Sequence, residues 1–229
     1  MNFNLRSRLA VEFMGTAFLL MAVVGSGIMA ERLAGGNVAL ALLANSLATG
    51  VALVALILAL GPISGAHFNP AVTLADAMQG GIAWRDVPGY VTAQVLGAYA
   101  GVAAAHLMFG LPVFFASHHV RSGRALLFSE FIATFGLLAV IWGCARARPS
   151  AVAFAVGGYI TAAYWFTAST SFANPAVTLA RAASDTFAGI RPVDAPGFIV
   201  AQLAGAVVAP SCFRWLASAQ LSLTGKIDP

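Results

Sequence analysis

The sequence predicts an all-α integral membrane protein. Six spanning helices and two re-entrant half-helices are arranged as an inverted repeat. Three observations carry that prediction. The 229 residues are 60% hydrophobic and only 9% charged, against about 25% charged in soluble domains. One heptapeptide occurs twice, as Asn69-Pro70-Ala71-Val72-Thr73-Leu74-Ala75 and Asn174-Pro175-Ala176-Val177-Thr178-Leu179-Ala180. Six apolar runs are long enough to cross a bilayer, and each heptapeptide lies between two of them.

The runs fall near 9–30, 38–60, 87–108, 125–145, 151–169 and 196–217. The first follows Arg6 and Arg8, as a signal peptide would. It continues past Ala30, beyond the roughly 7–15 apolar residues of such a leader, and reads as a spanning helix. The links between runs are polar or rich in helix breakers, including Gly35-Gly36, Pro112 and the short stretch Arg146 to Pro149.

Each heptapeptide opens as helices prefer to open, with Asn as N-cap, Pro in the first turn and good helix formers after it. The half-helices predicted there, 69–78 and 174–184, are too short to span. Ten residues rise about 15 Å, half of a hydrocarbon core about 30 Å thick.

The repetition reaches beyond the heptapeptides. Glu12-Phe13-x-x-Thr16 recurs as Glu130-Phe131-x-x-Thr134, and Pro88-Gly89-Tyr90, Gln94 and Gly97 recur as Pro196-Gly197-Phe198, Gln202 and Gly205. The first repeat is 1–110, the connecting loop 111–124 and the second repeat 125–229. Three spans per repeat is an odd number, so the second repeat starts on the opposite face and the two are inverted. The heptapeptides therefore enter from opposite sides, and their N-termini meet near the midplane. The face expected to hold both termini carries Arg6, Arg8, Arg85, Arg146, Arg148, Arg214 and Lys226, against Arg32, Arg121, Arg124, Arg181 and Arg191 opposite. Seven cations against five place the termini in the cytoplasm.

A half-helix ending inside the bilayer leaves backbone N–H groups unpaired. The Asn69 and Asn174 side chains can accept from them while their NH2 groups face a shared cavity. Two facing helix N-termini also create a positive maximum that repels cations and lets neutral solutes pass.

With these motifs in hand, the chain resembles the aquaporin and aquaglyceroporin (major intrinsic protein) family along nearly its whole length. The matching residues are the paired Asn-Pro-Ala boxes, Ser64-Gly65-Ala66-His67-Phe68 before the first box, Glu-Phe-x-x-Thr in spans one and four, and Ala-Gln before Gly in spans three and six. The resemblance implies a passive channel rather than an enzyme, with one pore per subunit and a homotetramer. It implies a midplane built by Asn69, Pro70 and Ala71 with Asn174, Pro175 and Ala176. It puts the selectivity filter on Thr49, Ala162, Ser171 and Val177.

In that family the residue after the second Asn-Pro-Ala is an arginine; here it is Val177. With Thr49 at a position that is usually aromatic, the resemblance implies a wider, less polar constriction. The expected solutes are neutral and polyhydroxylated: glycerol, urea and metalloid hydroxides such as arsenous acid, besides water. In this the chain is similar to bacterial channels associated with arsenic resistance. Arg181, one turn beyond Val177, either lines the outer vestibule or is a snorkelling or loop-paired arginine, with Asp185 as a partner.

Glu12 and Glu130 are carboxylates inside spans. They read as buried acceptors for backbone N–H groups of the re-entrant loops. The alternative is a coupling pair in an ion-driven transporter, and a small-anion channel is a third reading of the same scaffold. His67 either faces a solute at the cytoplasmic mouth or fixes its loop. Gly97 and Gly101 let helices approach closely. Cys144 and Cys212 read as small hydrophobes. No metal site, cofactor motif or basic run is found, so neither cofactor nor nucleic acid is expected. The partners are the lipid bilayer, small neutral solutes and further copies of the chain.

Overall fold

The computed structural model describes residues 3–224, with side chains to residue 216. Its elements run in chain order α1 (Leu5–Leu33), α2 (Val38–Ser64), α3 (Pro70–Met78), α4 (Val87–Met108), α5 (Arg124–Ala147), α6 (Val152–Phe166), α7 (Pro175–Arg181) and α8 (Ala195–Thr224). Short 3-10 turns, Trp84–Asp86 and Pro149–Ala151, lead into α4 and α6. Lys226, one of the cations assigned to the terminal face, lies outside the described residues.

Among the described residues, five helices are long and apolar enough to cross a membrane: α1, α2, α4 with its leading turn, α5 and α8. The fifth predicted span is shorter than expected. α6 has 15 residues, a rise of about 22 Å, and stops at Phe166 rather than near 169. The chain beyond it bends back into the protein with Thr170, Ser171 and Ala173 at φ of 62°, 50° and 47°, which no helix accommodates. The second half-helix is also shorter than predicted. α7 ends at Arg181 because the connecting loop pairs with the residues just beyond it: the N–H groups of Phe115 and Ser117 donate to the carbonyls of Ala183 and Ala182 at 3.2 and 3.0 Å.

Packing reproduces the sequence repeat. α1 lies mainly against α4 and α2, α5 mainly against α8 and α6, and α2 against α6 joins the halves. The repeated motifs explain the close crossings. A Cβ at Gly97 would overlap the Phe13 carbonyl, and one at Gly205 would press on that of Phe131. Glycine at these positions brings α4 onto α1 and α8 onto α5 at backbone distance. Gly101 sits in the same way on the Ala17 carbonyl. α3 and α7 touch end to end inside the ring of long helices, α3 also meeting α8 and α7 meeting α4. Each half-helix thus packs on the opposite half. Cys144 and Cys212 are half-buried and unbridged.

Candidate functional site: a central cavity through the half-helix junction

The junction of the half-helices is built twice from the same parts. Asn69 and Asn174 adopt extended backbone, φ −156° and −159°, as N-caps do. The Asn69 Oδ1 accepts from the Ala71 N–H at 2.9 Å. The Asn174 Oδ1 accepts from the N–H groups of Ala176 and Val177 at 3.0 and 3.2 Å. The amide nitrogens cross the junction: Asn69 Nδ2 donates to the Ala173 carbonyl at 2.7 Å and Asn174 Nδ2 to the Phe68 carbonyl at 2.8 Å. An amide carries two donor hydrogens. One of each pair is therefore committed to the opposite loop, and one is left for the cavity that both residues line.

The loops entering the boxes hold left-handed backbone at Ala66 and Phe68, and again at Ser171 and Ala173. Each pair is offset by 105 residues (171 − 66 and 173 − 68), the offset of the heptapeptides. Such residues cost energy and persist only where surrounding bonds hold them. The buried carboxylates supply those bonds. Glu12 accepts from the Ser64 hydroxyl at 2.6 Å and from the N–H groups of His67 and Phe68 at 3.0 and 2.7 Å. Glu130 accepts from the N–H groups of Phe172 and Ala173, both at 2.8 Å.

Gln94 and Gln202 complete the two networks. Gln94 Nε2 donates to Glu12 at 2.8 Å and to Thr73 at 2.9 Å. Gln202 Nε2 donates to Glu130 at 2.6 Å and to Thr178 at 2.9 Å. The threonine hydroxyls then donate to the backbone carbonyls of Asn69 and Asn174, at 3.1 and 2.8 Å. Glu12 and Glu130 are fully buried, and neither lines the cavity.

The cavity measures about 510 Å³ and passes the junction from the Arg8 and His67 side to Arg181. Its long walls are apolar rows at helical spacing. Thr49, Leu53, Ile57 and Gly61 line it from α2, and Val152, Val156, Ile160 and Tyr164 from α6. Val72 and Val177 face it at matching places in the two half-helices. This is the pattern of a conduit with mostly apolar walls and a few polar groups that fix orientation.

Of the four filter positions expected from the sequence, Thr49, Ser171 and Val177 line the cavity and Ala162 does not. Ala162 is exposed. Positions 156, 160 and 164 follow an i, i+4 row, and residue 162 is half a turn away from it, so its methyl faces outward. Tyr164, not Ala162, lines the cavity from this part of α6, with its hydroxyl 3.3 Å from Thr49 Oγ1. Counting back from the box without a gap missed this, although the apolar periodicity of α6 could have found it. The Ser171 hydroxyl is buried without a hydrogen-bond partner.

Arg181 is neither snorkelling nor paired with Asp185. It is 2% exposed, its Nε donates to the Ala188 carbonyl, and its guanidinium carbon lies 3.3 Å from the Phe172 ring centroid. Asp185 instead accepts from the His118 backbone N–H and faces the His118 ring nitrogen, both at 2.8 Å. Arg121 approaches Phe172 at 5.1 Å and donates to the carbonyls of Gly189 and Ser169, at 2.7 and 3.3 Å.

At the other mouth, His67 Nδ1 lies 3.1 Å from Thr73 Oγ1 and its Nε2 is 3.6 Å from Asp76. His67 fixes its loop and lines the cavity at once. His106 is buried between the Val113 carbonyl and Ser184 Oγ, at 2.7 and 2.8 Å. Among the described residues no group of three or more His, Cys, Asp or Glu could hold a metal. Phe172 and Arg121 gave no signal in the sequence, because their roles rest on contacts between distant segments.

The family model described as Major intrinsic protein matches residues 2–151 and 145–227. The chain is 57% identical over 214 residues to Aquaglyceroporin AqpS of Rhizobium meliloti (strain 1021), covering 93% of this chain and 91% of that protein. Aquaporin NIP1-3 of Oryza sativa subsp. japonica is 37% identical over 179 residues, covering 75% of this chain and 62% of that one. Among solved structures, the aquaglyceroporin from Plasmodium falciparum superposes with a TM-score of 0.74 at 23% identity, covering 96% of this chain and 100% of that one. At that identity the likeness speaks for the fold.

Proposed function

Because the chain belongs to the major intrinsic protein family, and is thus a multi-pass membrane channel for solutes of the water and glycerol type rather than an enzyme, we propose that it passes neutral solutes larger than water down their gradients. Glycerol, urea and metalloid hydroxides such as arsenous acid are the solute class, with water alongside. One observation supports this above the others: Val177, not an arginine, faces the cavity beside Thr49 and Ser171. A valine side chain is shorter than a guanidinium and offers no donors.

Solutes of this class carry several hydroxyl or amide groups. The spare hydrogens of Asn69 and Asn174 serve them at the midplane, and the hydroxyls of Thr49, Ser171 and Tyr164 serve them further out. His67 lines the cytoplasmic mouth. The halves 1–110 and 125–229, joined through 111–124, act as one inverted repeat around this path. The working form is a homotetramer in a bacterial inner membrane with cytoplasmic termini.

The test is stopped-flow permeability in proteoliposomes for water, glycerol, urea and arsenous acid. Wild-type protein should pass all four, without a proton or sodium gradient. Val177→Arg should lower glycerol flux at least tenfold and change water flux less than threefold. Glycerol flux unchanged in Val177→Arg would show that position 177 does not set the constriction. A strict requirement for an ion gradient would overturn the channel reading in favour of a coupled transporter.

A further inference from the structure

We propose that Arg181 is the charge-excluding residue of this channel, holding from one helical turn outside Val177 the fixed cation that the constriction lacks. The inference rests on the channel reading above.

Arg181 ends α7 four residues after Val177, on the same face and about 6 Å further out. A cation there is favoured by the negative end of the helix. Its guanidinium sits over Phe172, a ring held in place by the T-shaped contact with Phe198 at 5.3 Å. The backbone under that ring is tied to Glu130 through the Phe172 N–H. The side chain is therefore fixed in position, although it comes from a helix of only seven residues.

Its charge has no ion-pair partner. Among the described residues no carboxylate lies within salt-bridge distance of Arg181, and Asp185, the acid nearest in sequence, is occupied by His118. The second guanidinium nearby, Arg121, adds positive charge on the same ring. Of the Arg181 nitrogens only Nε has a hydrogen-bond acceptor among the described residues. A buried guanidinium whose terminal nitrogens lack protein acceptors must find them elsewhere. Arg181 lines the cavity, so water in the passage serves as those acceptors.

The position has two effects. A fixed cation in a narrow, low-dielectric passage repels cations, protons included. Because it lies against the wall at Phe172, it leaves the level of Val177 wide. Charge exclusion and size selection thus fall on two different residues, one turn apart.

The test uses full-length protein in proteoliposomes, with proton leak read by an internal pH dye under an imposed potential and glycerol flux read in parallel. Arg181→Gln and Arg181→Met should raise proton leak at least tenfold with glycerol flux within threefold of wild type. The double variant Val177→Arg, Arg181→Gln should bring leak back to within twofold of wild type. Wild-type leak in both single variants would overturn the proposal. A parallel fall of every flux, or failure of both variants to assemble, would make Arg181 a structural pin and overturn it equally. If wild-type protein passes no neutral solute, the channel reading itself fails; if it passes glycerol while leak ignores Arg181, only this inference fails.

Discussion

The two re-entrant loops share a plan and differ in how they are braced. The first, between α2 and α4, is braced mainly by side chains of its own half: Ser64, His67 and Phe68 reach Glu12, while His67 also meets Thr73 and Asp76. The second, between α6 and α8, has a shorter half-helix and a longer outer limb. Residues 115–121 of the connecting loop lie along that limb and bond to Ala182, Ala183, Asp185, Gly189 and Asp194. One loop is therefore braced mainly within its own half. The other depends on a strap from the middle of the chain and on two arginines placed around one phenylalanine. The repeated motifs explain the common plan; the division of work explains the difference, because the second loop carries Ser171, Phe172, Val177 and Arg181.

The carboxylates test this contrast most severely. Glu12 accepts four hydrogen bonds and Glu130 three. Removing either leaves buried N–H groups without acceptors, each costing about 1–3 kcal/mol. Glu12→Ala should cost about 5 kcal/mol and Glu130→Ala about 4 kcal/mol, measured as loss of thermal stability in detergent. A larger loss from Glu130→Ala would show that the strapped loop, not the first, depends more on its carboxylate.

The box asparagines come next. Asn174 caps two N–H groups and Asn69 one, while each makes one bond across the junction. With about 1 kcal/mol for a cap and a similar amount for a net hydrogen bond, Asn69→Ala should cost about 2 kcal/mol and Asn174→Ala up to about 3 kcal/mol. Equal losses in thermal unfolding would mean that the bond from the Val177 N–H contributes nothing.

The smallest effect lies at the strap. The His118 backbone N–H, first, and its ring nitrogen hold the Asp185 carboxyl below its ordinary value of 3.8. A depressed carboxylate stabilises the fold above its unfolded value and loses that contribution as pH falls through the folded one. The His118 side chain is exposed and that of Asp185 partly so, so screening keeps the effect small. Hydrogen exchange at residues 182–191 should quicken modestly as pH drops below about 4 after correction for intrinsic rates, and Asp185→Asn should abolish that dependence. A dependence that persists in Asp185→Asn would assign it to another group.

Much of this was legible in the chain itself. The spans, the caps and the inversion came from apolar length, from Asn-Pro and from an odd count of crossings, all of which are local or additive signals. Glu12, Glu130, Gln94 and Gln202 were visible as repeated positions. Two further features could not be read in that way. Tyr164 reaches the pore because α6 ends early and its cavity face follows the i, i+4 row, so counting back from the second box fails. The seat of Arg181 depends on Phe172, Ala188 and the absence of Asp185 from its side. These are contacts set by the folding back of the outer limb, and sequence spacing carries no record of them.

The crossed amides of the boxes bear on how the protein is made. Asn69 leans on a carbonyl 104 residues further along the chain, and Asn174 on one 106 residues back. During biosynthesis the first loop reaches the membrane long before the residue that completes it exists. Neither half can therefore finish its own junction. An unfinished chain has no closed midplane, and the path through the membrane and the final fold come into being in the same late step.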